Sequence, residues 1–242
     1  YHFTDVNFQD ETFFTQAPRV VAIAEEFIRR KLPISWAATM RADQCARMPD
    51  DVLQTAKRSG LRRVLVGVES GSPEMLKRIA KDVTIEQIMI TAERCRVLGL
   101  RVQVPFVVGV PREDDESVAA SFALAKRLRA MSPDFETHIF YFKPYPGSAI
   151  TQDAVNQGYR LPQSLDEWAN FDFIGSAGPW VTGAKFQRVE RFKFYQRLAW
   201  DRVPLWKRPA QAIARWRCRN DAYGFPLEKY VSERLRPIAT MS

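Results

Sequence analysis

Cysteine is scarce: Cys45, Cys95 and Cys218 are the only three in 242 residues. An odd number at wide spacing argues against a disulfide framework and favours a reducing compartment, so a cytoplasmic location is expected. No pair has C-x-x-C spacing, so the chain alone offers no metal site. Histidine is scarcer still. His2 abuts the N-terminal end and His138 falls inside a strand-like run, so both are expected to be structural. No apolar run approaches the roughly 18–20 residues needed to span a bilayer, and no secretory leader is evident. Low-complexity tracts are absent. The chain opens on Tyr1 rather than Met, directly on a strand-like run, and is read as a piece of a longer protein.

What is present is enough for a folded domain. Hydrophobic residues make up 46% of the chain, so a sizeable core is available and wholesale disorder is excluded. The formal charge is +8 and unevenly placed. Between Lys185 and Arg219 there are 11 Lys and Arg against two acids, Glu190 and Asp201. The basicity therefore belongs to the C-terminal segment, and the remainder is close to neutral.

Residues 1–148 alternate between β-rich runs and amphipathic helical runs. The strand candidates are Phe3–Phe8, Ile34–Met40, Arg63–Val68, Arg101–Val108 and Thr137–Phe142. Between them, Val20, Val21, Ile23, Ala24, Phe27 and Ile28 recur at helical spacing, with Pro18 in the first turn. Pro49 opens a helix that Gly60 closes. Ser72-Pro73 is an N-cap with a first-turn proline, Thr84 and Gln87 form a capping box, and Gly99 ends the helix they begin. Asp114–Met131 is a further helix, with Cys95 expected as a buried thiol on the apolar side of the one before it.

This β–α rhythm implies parallel strands with right-handed crossovers. The valine-rich runs Val64-Leu65-Val66 and Val102–Val108 suggest strands covered on both faces. Such units build either a partial barrel or a doubly wound sheet, and periodicity does not separate the two. After Pro144, Pro146 and Gly147 the pattern changes. We place a domain boundary near residue 150, with 1–150 as the α/β core and 151–242 as an extension, loop-rich and then basic and helical.

In parallel α/β folds, ligands bind at the carboxyl ends of the strands. Those ends here read Gln9-Asp10-Glu11-Thr12, Arg41-Ala42-Asp43, Gly67-Val68-Glu69-Ser70-Gly71-Ser72, Gly109-Val110-Pro111 and Lys143-Pro144-Tyr145-Pro146-Gly147-Ser148. Helix caps and turns account for any one of them; five together point to a shared rim. Glu69 is the sharpest case, because a carboxylate after an apolar strand needs a partner. Lys81, Arg41 or the ammonium group of a ligand could supply one.

These residues match a pattern. Val6–Phe13 resembles the second strand of the cobalamin-binding type of radical S-adenosylmethionine (SAM) enzyme, "F-x-D-D-x-F". Trp36 with Arg41 and Asp43 is similar to the third strand, "W…R-x-D". Gly67–Ser72 followed by Lys81 resembles "G-x-E-S-G-S…K" of the fourth. Phe106–Pro111 is similar to "F-x-x-G-x-P-G-E" of the fifth, and Pro144–Ser148 to "P-x-P-G-T" of the sixth. The resemblance implies an α/β fold, a partial (β/α)6 TIM-like barrel lacking its first strand, with a mainly helical C-terminal extension. It implies SAM at the open rim, cleaved to a 5′-deoxyadenosyl radical by a [4Fe–4S] cluster whose C-x-x-x-C-x-x-C loop lies outside this chain. By analogy Glu69 and Lys81 would contact the methionyl part of SAM, and Ser70 would belong to the same cofactor site. Arg41 would be a secondary polar contact. Backbone near Val108, Gly109 and Tyr141 would face the adenosine, and Asp10 and Glu11 would line the floor. A cobalamin domain upstream and a reductant such as flavodoxin or ferredoxin are implied as well. This sequence departs from the pattern in having no cluster motif and in placing Arg112 where a glycine is usual.

The leading expectation is thus SAM-dependent radical chemistry, methyl transfer or a related reaction, on a lipid, cofactor precursor or secondary metabolite. The alternatives are a cluster-less module that binds SAM or a partner, and a barrel enzyme using Asp10, Glu11 and Glu69 as acids and bases. For 185–219, three readings stand: a helical cap over buried aromatics, a surface for anionic membrane or a lipid substrate, and a nucleic-acid surface. The last ranks lowest, since no nucleic-acid-binding motif accompanies it.

Overall fold

The computed structural model describes residues 3–169, 171 and 177–234; His2 lies outside them. The chain divides into two compact units, Tyr1–Trp180 and Val181–Ser242. The first unit thus continues beyond residue 150, where the sequence pattern changes.

The first unit is built on five strands: β1 (Asp5–Asn7), β2 (Ser35–Met40), β3 (Leu61–Val66), β4 (Arg101–Val108) and β5 (Phe135–Tyr141). All neighbouring pairs are parallel and the spatial order is β1-β2-β3-β4-β5. The order never reverses, so the sheet has no switch point of the doubly wound kind. Its connections are helical: α1 (Ala17–Arg29), α2 (Ala42–Arg47), α3 (Asp50–Arg58), α4 (Pro73–Arg78), α5 (Ile85–Val97) and α6 (Asp115–Met131), with α7 (Ala149–Asn156) and α8 (Leu165–Ala169) following β5.

The helix boundaries follow local chemistry. Pro18 lies in the first turn of α1. Ser72 caps α4 by accepting from the Met75 amide, and Asp114 does the same for α6 through Ser117. At α5 both arms of the Thr84–Gln87 capping box are formed. Gly60 and Gly99 take positive φ just beyond α3 and α5, a backbone conformation that glycine adopts without steric cost.

Strand coverage differs from the sequence expectation. Val64 and Val66 of β3, Val102, Val104, Phe106 and Val108 of β4, and Phe135, Thr137, Ile139 and Tyr141 of β5 are buried. The residues between them, Leu65, Gln103, Pro105, Val107, Glu136, His138 and Phe140, are half-buried or exposed. The sheet is covered on one face, not two. A sequential order with crossovers of one hand sends every helix to the same side, which accounts for the alternation. Trp36 anchors the covered face near β1. It is fully buried, rings of Phe8, Phe13 and Phe14 surround it, and its indole N–H donates to Ser59 Oγ at 3.0 Å. Each of the fully buried rings, Phe13 and Phe14, contributes about 1.5–3 kcal/mol by leaving water.

The second unit pairs α9 (Gly183–Trp200) with α10 (Arg208–Arg219), joined by a 3-10 turn at Leu205–Lys207, and ends in α11 (Leu227–Arg234). Phe192, Tyr195, Ala199, Ala214, Cys218 and Tyr223 are buried. Tyr195 donates to Glu228 at 2.7 Å and Arg217 pairs with the same carboxylate at 3.1 Å. No helix among the described residues is long and apolar enough to cross a membrane.

Candidate functional site

The carboxyl ends of five parallel strands necessarily lie along one edge of the sheet, and β3 contributes the most unusual corner. Strand β3 stops at Val66, yet Glu69 rejoins β4 through an isolated bridge to Phe106. Its amide donates to Pro105 O at 3.0 Å and its carbonyl accepts from the Val107 amide at 2.7 Å. The backbone of Glu69 has φ +67°, a left-handed conformation that costs a non-glycine residue about 1–2 kcal/mol.

The partner of Glu69 is Lys81, whose Nζ donates to Oε1 at 3.2 Å; both side chains are about one-quarter exposed. Gly67 makes this arrangement possible. A Cβ there would stand 2.9 Å from Glu69 Oε1 and 3.0 Å from Lys81 Nζ. Among the described residues Glu69 Oε2 meets no donor, so one oxygen is available to a ligand ammonium.

Behind Glu69 the loop is clamped onto α6. Ser70 is fully buried and its hydroxyl lies 3.2 Å from Ser121 Oγ, which also accepts from the Gly71 amide at 3.0 Å. Ser117 Oγ donates to Ser72 Oγ at 3.2 Å. A Cβ on Gly71 would run into the backbone of Ala120. Ser70 therefore holds the loop from inside, while Glu69 and Lys81 face outward.

The other expected rim residues fall into separate groups. Arg41 pairs with Asp43 at 2.9 Å, and Asp43 also meets Arg47 at 3.4 Å. Of the two side chains expected as partners of Glu69, Lys81 fills the role and Arg41 is engaged with Asp43. Asp10 is bound to Arg19 at 2.8 Å, and its carbonyl accepts from Thr39 Oγ1; Glu11 beside it is exposed. Val108 is buried and its carbonyl accepts from the Phe142 amide at 2.8 Å. Tyr141 directs its side chain to the covered face.

Gly109, at φ +74°, has both backbone groups occupied. Its amide donates to Glu113 Oε2 at 2.5 Å, and its carbonyl accepts from the Trp180 indole. Trp180 packs against Tyr159 and Phe142 at centroid distances of 5.3 and 6.2 Å. Sequence reasoning missed Glu113, Ser117, Ser121 and Trp180. Only Glu113 had a visible signal, the final glutamate of the "G-x-P-G-E" pattern. Arg112 occupies the preceding glycine position with φ +61°, so the turn that favours glycine is formed here by arginine.

The thiols do not form a ligand set. Cys45 of α2 and Cys95 of α5 are both buried. The neighbouring Cys45 thiol, together with enclosure, pushes the Cys95 thiol well above the usual range, and Cys95 in turn draws Cys45 below it. Cys218 lies in the second unit. Among the described residues no three His, Cys, Asp or Glu side chains converge as metal ligands. Two neighbouring buried thiols and a third in the other unit do not offer an iron–sulfur cluster a converging set of three thiolates, so no step is assigned to a cluster on these residues.

The sequence matches the radical SAM superfamily over residues 3–125, and the chain belongs to that superfamily. It is 27% identical over 172 residues to an uncharacterised methyltransferase of Pyrococcus horikoshii, covering 71% of this chain and 36% of that one. It is 26% identical over 170 residues to cytidylyl-2-hydroxyethylphosphonate methyltransferase of Streptomyces wedmorensis, covering 67% and 30%. Among solved structures, the radical SAM methyltransferase TsrM of Kitasatospora setae, with cobalamin and a [4Fe–4S] cluster bound, superposes with a TM-score of 0.51. That match has 18% identity and covers 63% of this chain and 30% of that one. The chain spans about a third of the length of these curated relatives.

Proposed function

We propose that this chain is the SAM-holding portion of a radical SAM methyltransferase, and that the β3 corner is where the methionyl ammonium binds. The observation that carries the reading is Glu69, held in a left-handed turn with Lys81 on one carboxylate oxygen and Gly67 clearing the space beneath. A carboxylate with a free oxygen, set at a strand end on a strained and doubly hydrogen-bonded backbone, is arranged to receive a cation. When bound, SAM would supply the methyl group or the radical precursor. The residues of this chain bind and orient it: Glu69 takes the ammonium, and Lys81 is placed to meet the methionyl carboxylate. The backbone along the ends of β4 and β5 is the adenosine side of the same reading, with Trp180 already seated on Gly109. In this reading the sheet is part of a (β/α)6 barrel. Its sequential, unreversed, one-side-covered order supports that closure. The cluster takes its ligands from outside this chain, and a cobalamin domain and a flavodoxin- or ferredoxin-like reductant act with it. The substrate class is a lipid, cofactor precursor or secondary metabolite, and the setting is cytoplasmic.

Calorimetric titration of SAM into wild-type and variant protein tests the site. Glu69→Gln removes the charge on the acceptor and should weaken binding by about ten- to a hundredfold, the range of a charged hydrogen bond. Gly67→Ala should weaken it too, because its Cβ meets only the mobile ends of Glu69 and Lys81 and so disturbs the pair and spares the fold. Affinities within twofold of wild type in both variants count against the assignment.

A further inference from the structure

We propose that the outer face of α10, with the 3-10 turn before it, docks on an anionic lipid surface; this goes beyond the catalytic reading and does not depend on it. Helix α10 carries three stripes. Ala214 and Cys218 face the core of the second unit and are fully buried. Pro209, Ala212, Ile213 and Trp216 recur at helical spacing on the exposed side. Arg208, Arg215 and Arg219, also exposed, recur at i, i+7 and i+11 and run along one edge of that apolar stripe.

The apolar stripe is laid bare to an unusual degree. Trp206 is 76% exposed, Leu205 70%, Trp216 57% and Ile213 45%. Isolated exposed apolar residues need no explanation, but four within twelve positions, two of them tryptophan, do. Lys207 stands over the Trp206 ring at 4.8 Å, so cation and indole present themselves together. From Arg202 to Asn220 there are six Lys or Arg and no Asp or Glu.

That charge distribution selects the occupant. A second copy meeting the same patch through a two-fold axis would set cations against cations. Nucleic acid would reward the arginines and indoles, but it gives nothing for exposing Leu205 and Ile213, which neither stack nor pair. An anionic bilayer rewards all three groups: indoles at the headgroup level, aliphatic side chains below it, and cations against the lipid phosphates.

The test is co-sedimentation of the purified full chain with phosphatidylcholine vesicles, with and without phosphatidylglycerol. We expect binding to the phosphatidylglycerol vesicles at low salt, little to pure phosphatidylcholine, and loss at about 0.5 M salt, where screening shortens to a few ångströms. K207E/R208E should lower the partition at least about tenfold, and W206S/W216S should lower it while abolishing a lipid-induced blue shift of fluorescence. These positions are exposed, so both variants should keep the wild-type circular dichroism; either one alone suffices if the other unfolds. The proposal is overturned by no binding to anionic vesicles at low salt or by equal binding to neutral ones. Binding that both variants leave unchanged also overturns it. So does binding of RNA or DNA without vesicle binding, or dimerisation that W206S/W216S abolishes.

Discussion

Glu69 and Arg112 both hold backbone conformations that glycine tolerates and other residues resist, at φ +67° and +61°. Their contexts differ. Glu69 is fixed on both sides by ladder hydrogen bonds to β4, and its side chain meets Lys81, so its strain is tied to the position of a carboxylate. Arg112 is exposed, and its positive φ falls in the turn that brings Glu113 to the Gly109 amide. Arg112→Gly should therefore leave SAM binding unchanged and alter stability by no more than about 1 kcal/mol, in the stabilising direction if relief of strain outweighs the entropy of glycine. Urea unfolding measures this; a loss of more than about 1 kcal/mol would show that the arginine side chain supports the turn. Glu69 was legible in the sequence because an acid follows an apolar strand inside GVESGS. Its left-handed backbone was not, since nothing in the spelling of a non-glycine residue announces positive φ.

At the scale of elements, α6 supports the rim through the loop that follows β3. Ser117 and Ser121 lie on its inner face and clamp the loop that carries Glu69. Ser121→Ala removes the acceptor of the part-buried Gly71 amide and the partner of the buried Ser70 hydroxyl. It should cost about 1–3 kcal/mol and also loosen SAM binding, because the loop loses its register. A variant with wild-type melting temperature and affinity would mean that water replaces the hydroxyl. Short-range signals placed the elements well: Pro18, Thr84 with Gln87, Asp114 and Gly99 each mark a boundary that the fold uses. The serine clamp was invisible because Ser70 and Ser121 are 51 residues apart in sequence, and helical serines look the same whether they face solvent or a loop. Coverage of the sheet was misjudged for a related reason. Valine-rich runs report β propensity, but whether a second layer exists depends on strand order, which periodicity does not contain.

The whole molecule consists of a nearly neutral α/β unit and a strongly basic helical one, and the two should respond differently to acid. In the second unit, burial opposes ionisation of Glu228. The Tyr195 hydroxyl and Arg217 guanidinium outweigh it and hold the carboxyl below its ordinary value. A depressed folded pKa stabilises above the unfolded value of about 4.3, and that contribution disappears as pH falls through the folded value. Melting of the second unit should therefore drop as pH falls below about 4, and Glu228→Gln should lower it at neutral pH while flattening that acid dependence. An unchanged acid profile in the variant would place the effect elsewhere.

Whether the β3 corner receives SAM is decided by a crystal structure of the chain grown with SAM. The methionyl ammonium should lie within about 2.7–3.2 Å of a Glu69 carboxylate oxygen, with Lys81 close to the methionyl carboxylate. SAM bound with its ammonium away from Glu69, while the Glu69–Lys81 pair stays closed on itself, would contradict this placement.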